Sequence, residues 1–176
     1  MCKNCESKPV YEFTNKRKVC KQCFIRWFEK KFLYTIRKFN MVRNEDVIFH
    51  QDGKGFRAVV LSHLLDLFQT KAQVKIVHKS VRNAKIAHST TLDLSAEFII
   101  TILIKGKLGR EADPVIANVI KPLYLFLDKE VLLYAKLKKL KHSFWMPKRT
   151  FLDELECKHP ELKWAIVNGY LGLNID

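Results

Sequence analysis

Four of the five cysteines lie near the N-terminus in two pairs that are spaced to bind one metal ion. The pairs are Cys2 with Cys5 and Cys20 with Cys23, and fourteen residues separate them. Each Cys-x2-Cys knuckle can direct two thiolates at the same ion, which is typical of a tetrahedral four-cysteine zinc site. Two disulfides are the alternative, but the cytosol keeps thiols reduced. We therefore expect structural zinc, since no fifth ligand is near.

The remaining cysteine and the six histidines show no catalytic pattern. Cys157 stands alone between Glu156 and Lys158, so an unpaired thiol in a C-terminal helix is expected there. No histidine pair has the HExxH or H-x3-H spacing of a catalytic metal site.

The first predicted strand of the main domain is residues 46–50, and the loop that follows it is a second candidate site. A loop between such a strand and a helix N-terminus is where α/β proteins hold phosphates. The residues do not form a Walker loop, and Gly53-x-Gly55 lacks the third glycine of a dinucleotide fingerprint. An ordinary strand-to-helix turn is the alternative. The loop residues are Gly53, Lys54, Gly55, Phe56, Arg57 and Ala58.

The charge of the chain favours a polyanionic partner. Thirty-two Lys and Arg against eighteen Asp and Glu give a formal net charge of +14, and such a field attracts nucleic acid. Any single cation can equally be a solvated surface residue, so only the group indicates binding. The candidate contacts are Lys16, Arg17, Lys18, Arg26, Lys30, Lys31, Arg37, Lys38, Lys107 and Arg110.

The elements that must position these residues alternate as in an α/β domain. Apolar residues at 24, 25, 28, 32, 36 and 39 form one face of a helix that follows the cysteines. Glycine at position 106 suits a left-handed helix cap, so it is expected to end the third helix. The other predicted strands are residues 73–78, 84–89 and 118–121, and the other predicted helices are residues 58–68, 92–105, 127–140, 151–157 and 161–170.

Length and hydropathy restrict the class of protein further. A chain of 176 residues has room for one core and a small accessory module. Residues 1–18 are polar and lack the apolar centre of a secretory signal. The longest apolar run, residues 98–104, is far shorter than the roughly 20 residues that cross a bilayer. We expect a cytoplasmic protein without a membrane partner.

The order of these features resembles the cytoplasmic proteins that 2-thiolate the wobble uridine of tRNA. These proteins join a four-cysteine zinc ribbon to an adenylating α/β domain of the PP-loop type. The resemblance covers nearly the whole chain. It is carried by Cys20-Lys-Gln-Cys23-Phe24 and by residues 47–49, 60–65, 92–110, 120–123, 129–134, 151–155 and 159–163.

The resemblance implies an α/β fold with a domain order. An N-terminal four-cysteine zinc ribbon and linker helix precede a small PP-loop-like domain, which resembles the adenine nucleotide alpha hydrolases and has a mostly parallel sheet with flanking helices. The implied boundaries are 1–24 for the ribbon, 25–45 for the linker helix, 46–142 for the degenerate PP-loop-like domain and 143–176 for the C-terminal helices.

The departures from the family bear on catalysis. Catalytic members carry Ser-Gly-Gly-Lys-Asp-Ser after the first strand, and here Phe56, Arg57 and Ala58 stand at the lysine, aspartate and final serine positions. No cysteine lies between Cys23 and Cys157, so the central cysteines of catalytic members are missing. The chain is therefore most similar to a shortened member of the cytoplasmic tRNA 2-thiolation protein 2 family, the degenerate subunit of the eukaryotic complex.

Three functions remain open from the sequence. The first is a non-catalytic, zinc-containing subunit that supports tRNA binding and sulfur transfer by a catalytic PP-loop paralogue. Under this hypothesis ATP does not bind this chain. The resemblance also implies a ubiquitin-like sulfur carrier as a further partner. The second is an ATP-dependent tRNA sulfurtransferase that uses Lys54 in a reworked loop. The third is a zinc-ribbon nucleic-acid-binding protein.

Overall fold

The computed structural model describes residues 1–107, 109–143 and 149–173, and these form a two-stranded ribbon followed by an α/β domain. The ribbon consists of β1 (Tyr11–Glu12) and β2 (Lys18–Val19), which pair antiparallel. Helix α1 (Lys21–Lys38) begins inside the second cysteine knuckle and follows directly. Its buried Phe24, Phe28 and Phe32 lie one turn apart, which confirms the expected apolar face.

The central sheet has five strands, and four of them are parallel. Their order is β4-β3-β5-β7-β6. All pairs are parallel except β6 with β7. The strands are β3 (Val47–Phe49), β4 (Lys75–Val77), β5 (Lys85–Ala87), β6 (Val115–Ile116) and β7 (Val119–Ile120).

Five further helices flank the sheet. A single 3-10 turn at Arg110–Ala112 precedes β6. Within the described ranges, no helix combines the length and apolar character that crossing a bilayer requires. The helices are α2 (Phe56–Gln69), α3 (Leu92–Ile104), α4 (Asp128–Leu137), α5 (Phe151–Lys158) and α6 (Leu162–Leu171).

Two apolar clusters hold the layers together. The first joins the ribbon and α1 to the sheet and to α4. Within it, the ring of Phe28 on α1 lies 4.3 Å from that of Tyr134 on α4 and 4.4 Å from that of Phe126, between ring centroids. The second packs α3 against α5 and α6 around Leu92, Ile99 and Val167. The ribbon therefore shares a core with the main domain, and its position relative to the sheet is fixed by buried rings.

Candidate functional site

The four N-terminal cysteines converge on one point. The sulfur of Cys5 lies 3.6 Å from that of Cys2, 3.3 Å from that of Cys20 and 3.6 Å from that of Cys23. All four sulfurs are within 4.8 Å of one another. Sulfurs that surround a single zinc ion at bonds of about 2.3 Å lie ~3.8 Å apart. The spacing therefore fits one tetrahedral ion.

The electrostatics of the thiols also favour a cation between them. Hydrogen bonding to Ser7 lowers the pKa of Cys5 to about 6, whereas contact with Cys5 raises the pKa of Cys23 to about 12. Four thiolates so close together repel one another, and a bound divalent ion removes that repulsion. All five cysteines are free thiols in the described structure, so the disulfide alternative has no structural support.

The loop after β3 is held in place by contacts with the core and with Ser143. Phe56, at the first position of α2, is 2% exposed and belongs to the main apolar cluster. The backbone N–H and the hydroxyl of Ser143 both donate to the carbonyl oxygen of Lys54, at 2.6 and 2.9 Å. An added side chain at Gly53 would meet Ala58 at 2.8 Å. The loop is thus held by core packing at Phe56 and by hydrogen bonds at Lys54, whereas space remains beside Gly55.

Arg57 takes part in a side-chain network rather than projecting into the loop. Its guanidinium donates two hydrogen bonds to the carboxylate of Asp128, and the one from Nε is 2.7 Å long. Asp128 also accepts from the hydroxyl of Thr91 at 2.8 Å, and its backbone N–H donates to Asp93 at 2.7 Å. The N-termini of α2, α3 and α4 are thereby tied together.

A cleft of about 570 Å³ lies beside these helix N-termini. Its floor includes the ammonium of Lys163, which lies 2.5 Å from both Asp93 and Asp153 and 2.9 Å from Glu156. Although burial by itself lowers the pKa of Lys163, the hydrogen bonds that it donates to Asp153 and Asp93 outweigh that effect and raise the pKa. The described lining contains five carboxylates and four cations: Asp93, Glu97, Asp128, Asp153 and Glu156 against Arg57, Lys129, Arg149 and Lys163.

The structure leaves most of the candidate tRNA contacts at the surface. Arg17 is half-buried, with its guanidinium carbon 4.5 Å from the centre of the Phe13 ring. Lys18 lies 3.4 Å from Glu12 in a surface ion pair. The exposed members of the set are Lys16, Lys18, Arg26, Lys30, Arg37, Lys38, Lys107 and Arg110.

Lys31 departs from that expectation. Its ammonium is directed inward, 2.9 Å from Glu130, and its side chain is only 13% exposed. Burial lowers the pKa of Lys31, and the Glu130 carboxylate opposes that effect. The ion pair joins α1 to α4, so this lysine has a structural role that helical periodicity alone does not reveal.

Comparison with known proteins gives a fold neighbour and no family. No protein-family model matches the chain, and no curated protein matches it significantly. Among solved structures, the chain resembles the U34-tRNA thiolase NcsA from Methanococcus maripaludis, solved with its [4Fe-4S] cluster, with a TM-score of 0.77 and 19% identity. The match covers 99% of this chain and 88% of that one. This chain has the thiolase fold.

That likeness confirms the expected architecture, a mostly parallel α/β domain of the PP-loop thiolase type with four clustered cysteines at its start. At 19% identity it establishes the fold alone. The groups around the cleft were not anticipated from the sequence, since Asp93, Asp128 and Lys163 lie on three helices that are distant along the chain. A local sequence signal was the acidic residues in the first turns of α3, α4 and α5.

Proposed function

We propose that the chain is a non-catalytic subunit of a tRNA wobble-uridine 2-thiolation complex. It would bind tRNA and hold it for a PP-loop partner that carries out sulfur transfer. The observation that carries the proposal is a tRNA-thiolase fold in which, at the loop after β3, Phe56 is buried in the core and Arg57 is paired with Asp128. A thiolase fold without a phosphate site would serve to bind tRNA and support a partner protein rather than to adenylate a substrate.

The charge of the cleft supports the absence of ATP chemistry in this chain. A triphosphate needs an excess of cations or a bound magnesium ion. Carboxylates outnumber cations among the described lining residues. Lys163 and Arg57 are each held by carboxylates already. A nucleotide would have to displace these pairs, and the desolvated carboxylates left behind would repel it.

For the four cysteines we propose zinc, held by Cys2, Cys5, Cys20 and Cys23. Four thiolates are also the ligands of iron–sulfur clusters, and the structural neighbour is described with a [4Fe-4S] cluster. In such a cluster each thiolate binds a different iron, so the cluster core holds the cysteine sulfurs apart. Here the sulfur of Cys5 lies 3.3–3.6 Å from the other three and all four lie within 4.8 Å of one another, which favours a single ion. Zinc there would fix the ribbon against α1 and supply no reaction step.

The remaining assignments rest on the resemblance to the 2-thiolation protein 2 family. They are a cytoplasmic location, a heterodimer with the catalytic PP-loop paralogue, and delivery of sulfur by a ubiquitin-like carrier. The exposed basic residues of the ribbon and α1 support tRNA as the substrate, because phosphate contacts supply most of the affinity for nucleic acid.

The decisive experiment measures 2-thiouridine at the wobble position of cellular tRNA. The gene is deleted and then restored as wild type or as Lys54→Ala, a variant that removes the exposed loop cation without touching the Arg57–Asp128 pair. We expect deletion to abolish thiolation and both versions to restore it. Intact thiolation after deletion would refute the proposal.

One observation favours the second function, ATP-dependent sulfur transfer by this chain itself: Lys54 is exposed directly before the N-terminus of α2. Calorimetric titration of the purified chain with ATP and Mg²⁺ separates the two. The non-catalytic subunit is expected to show no saturable binding. Saturable binding that Lys54→Ala removes would establish the enzyme instead.

A further inference from the structure

A pocket lies between the ribbon, α1 and α6, away from the cleft beside the nucleotide loop. It has a volume of about 370 Å³, and its lining includes Phe13, Arg17, Trp27, Lys31 and Trp164. Known small-molecule sites range from roughly 300 to 1,000 Å³. None of the described residues that line this pocket also lines the cleft, so the two are separate sites.

Aromatic rings form the walls of this pocket. The ring centroids of Phe13 and Trp27 are 4.7 Å apart in an edge-to-face arrangement. The ammonium of Lys31 lies 4.7 Å from the centre of the Trp27 ring and 5.1 Å from that of Trp164. Both indoles therefore contact the same ammonium, and both are half-buried rather than enclosed. Partly open aromatic faces of this kind are stacking surfaces for nucleobases.

Hydrogen-bond donors without full partners lie among these rings. Lys31 Nζ has three N–H groups, yet within the described residues it donates only to Glu130. The Nε of Arg17 is buried and has no partner in the described structure. A buried donor without an acceptor is costly, and an incoming group with carbonyl oxygens would satisfy both. Guanine, cytosine and uracil carry such oxygens on their exposed edges.

We propose that this pocket binds one unpaired nucleobase of tRNA. The base would stack against Trp164 and accept hydrogen bonds from Lys31 and Arg17. The inference rests on the proposed tRNA-binding function and adds the place where the protein contacts an unstacked nucleotide. Most sequence-specific RNA recognition acts on such nucleotides in loops, because paired bases hide their edges.

The surroundings can accept the rest of the strand. Asn168 on α6 lines both this pocket and a second groove, which also contains Lys38 and Arg110. Both cations are exposed, and both were candidate tRNA contacts from the sequence. A strand whose base occupies the pocket can therefore extend past α6 with its phosphates near these two residues.

The test compares the affinity of unmodified tRNA for Trp164 variants of the full, zinc-loaded chain. Trp164→Leu removes the stacking face but keeps an apolar side chain, and Trp164→Phe keeps a ring. Because a base–aromatic stack is worth about tenfold in affinity by substitution, we expect Trp164→Leu to raise Kd about tenfold and Trp164→Phe to recover most of the affinity. Phe151→Leu, which alters an exposed ring on α5, is the matched control and should not change Kd.

Two further readouts separate stacking from charge and from misfolding. The slope of log Kd against log salt should be unchanged in Trp164→Leu, because the variant keeps every cation that can meet a phosphate. Circular dichroism melts confirm that each variant is folded. A short single-stranded RNA with one abasic position at a time should show one position at which wild type and Trp164→Leu bind equally.

Failure of the pocket proposal and failure of the proposed function give different results. If wild type does not bind tRNA, the proposed function fails together with the pocket. If wild type binds and Trp164→Leu binds within twofold of it, the pocket proposal alone fails. Equal increases of Kd in Trp164→Leu and Trp164→Phe would also overturn it, since the ring would then have no stacking role.

Discussion

Single side chains at the loop after β3 form structural contacts of their own. Arg57 stands where catalytic relatives are expected to have an aspartate, and it forms a two-point contact with Asp128. Asp128 in turn accepts a hydrogen bond from the hydroxyl of Thr91, and its backbone N–H donates one to Asp93. Bidentate arginine–carboxylate pairs are geometrically specific. Arg57 is therefore part of a fixed link among the N-termini of three helices.

The metal assignment is tested by Cys5→Ser. The sulfur of Cys5 contacts the other three sulfurs of the cluster, so its removal leaves three thiolates and an incomplete site. We expect zinc content to fall from about one ion per chain towards zero and the melting temperature to drop, because metal binding and ribbon folding are coupled. Elemental analysis and a thermal melt measure both.

Cys157→Ser is the control for this prediction. Cys157 is exposed, and its thiol reaches only the carbonyl oxygen of Asp153, at 3.4 Å. Its substitution should leave the metal content and the melt unchanged. Full zinc occupancy in Cys5→Ser would contradict the four-thiolate site. Iron and sulfide in the wild type, with visible absorbance, would show a cluster instead of zinc.

Local spacing revealed the cysteine cluster, whereas the acidic cleft was hidden from sequence reasoning. Two Cys-x2-Cys knuckles constrain geometry within each pair, so their convergence is predictable. Lys31 and Lys163 look like ordinary helical lysines in the sequence. Only the packing of α1 on α4 and of α6 on α3 turns them inward, where Glu130 and Asp93 receive them. Such tertiary pairings carry no local signature.

At the level of elements, α6 is fixed to α3 and α5 by one buried cation. The side chain of Lys163 is 1% exposed and contacts Asp93 on α3 and both Asp153 and Glu156 on α5. Lys163→Met removes the cation that Asp93 and Asp153 share, and Glu156 keeps only its ion pair with Lys129. Because breaking a buried ion pair from one side costs about 3–5 kcal/mol, we expect the unfolding free energy to fall by roughly that amount in urea titrations.

Lys129→Met provides a matched comparison. Lys129 lies 3.5 Å from the same Glu156, but its side chain is 55% exposed. Exposed pairs contribute about 0–1 kcal/mol, so this variant should unfold at nearly the wild-type urea concentration. Equal effects of the two substitutions would show that burial does not set the strength of the cluster.

Alanine substitutions at two glycines are expected to change the unfolding free energy in opposite directions. Gly106 follows α3 with φ of +63°, a conformation that costs other residues about 1–2 kcal/mol, and the sequence had already indicated this cap. Gly169 lies within α6, and an added side chain there meets nothing within 4 Å. Gly106→Ala should lower the unfolding free energy by about 1 kcal/mol, whereas Gly169→Ala should raise it by about 0.5–1 kcal/mol. Equal shifts in the same direction would contradict the two backbone assignments.

The elements themselves were largely predictable, with one instructive exception. Helix α3 begins and ends within one residue of the expected 92–105, whereas α1 ends at Lys38, before the implied end of the linker helix at residue 45. Strand β6 was missed. It has only two residues, Val115–Ile116, and turns into β7 through Ala117, which has φ of +50°. A two-residue antiparallel strand without glycine in its turn gives no periodicity to detect.

For the whole molecule, a net charge of +14 matters only if the charges that meet RNA share a surface. Arg26, Lys30 and Arg37 are exposed on one side of α1, because residues 4, 7 and 11 apart face the same way on a helix. We expect tRNA binding to weaken steeply with salt. About five phosphate contacts would give a log–log slope of about −4 and roughly a hundredfold or greater decrease in affinity between 50 and 200 mM salt.

The triple variant Arg26→Gln, Lys30→Gln, Arg37→Gln asks whether that face, rather than overall charge, binds tRNA. Removing one phosphate-binding cation reduces the magnitude of the slope by about 1, so the triple variant should reduce it by about 2–3. The matched control is a second triple variant, which removes the same charge from exposed positions around β4: Lys71→Gln, Lys75→Gln and Lys79→Gln. In a charge-driven but non-specific polycation, both variants would flatten the slope equally. A directed interface shows the flatter slope only in the first variant, and that difference decides whether this fold presents α1 to tRNA.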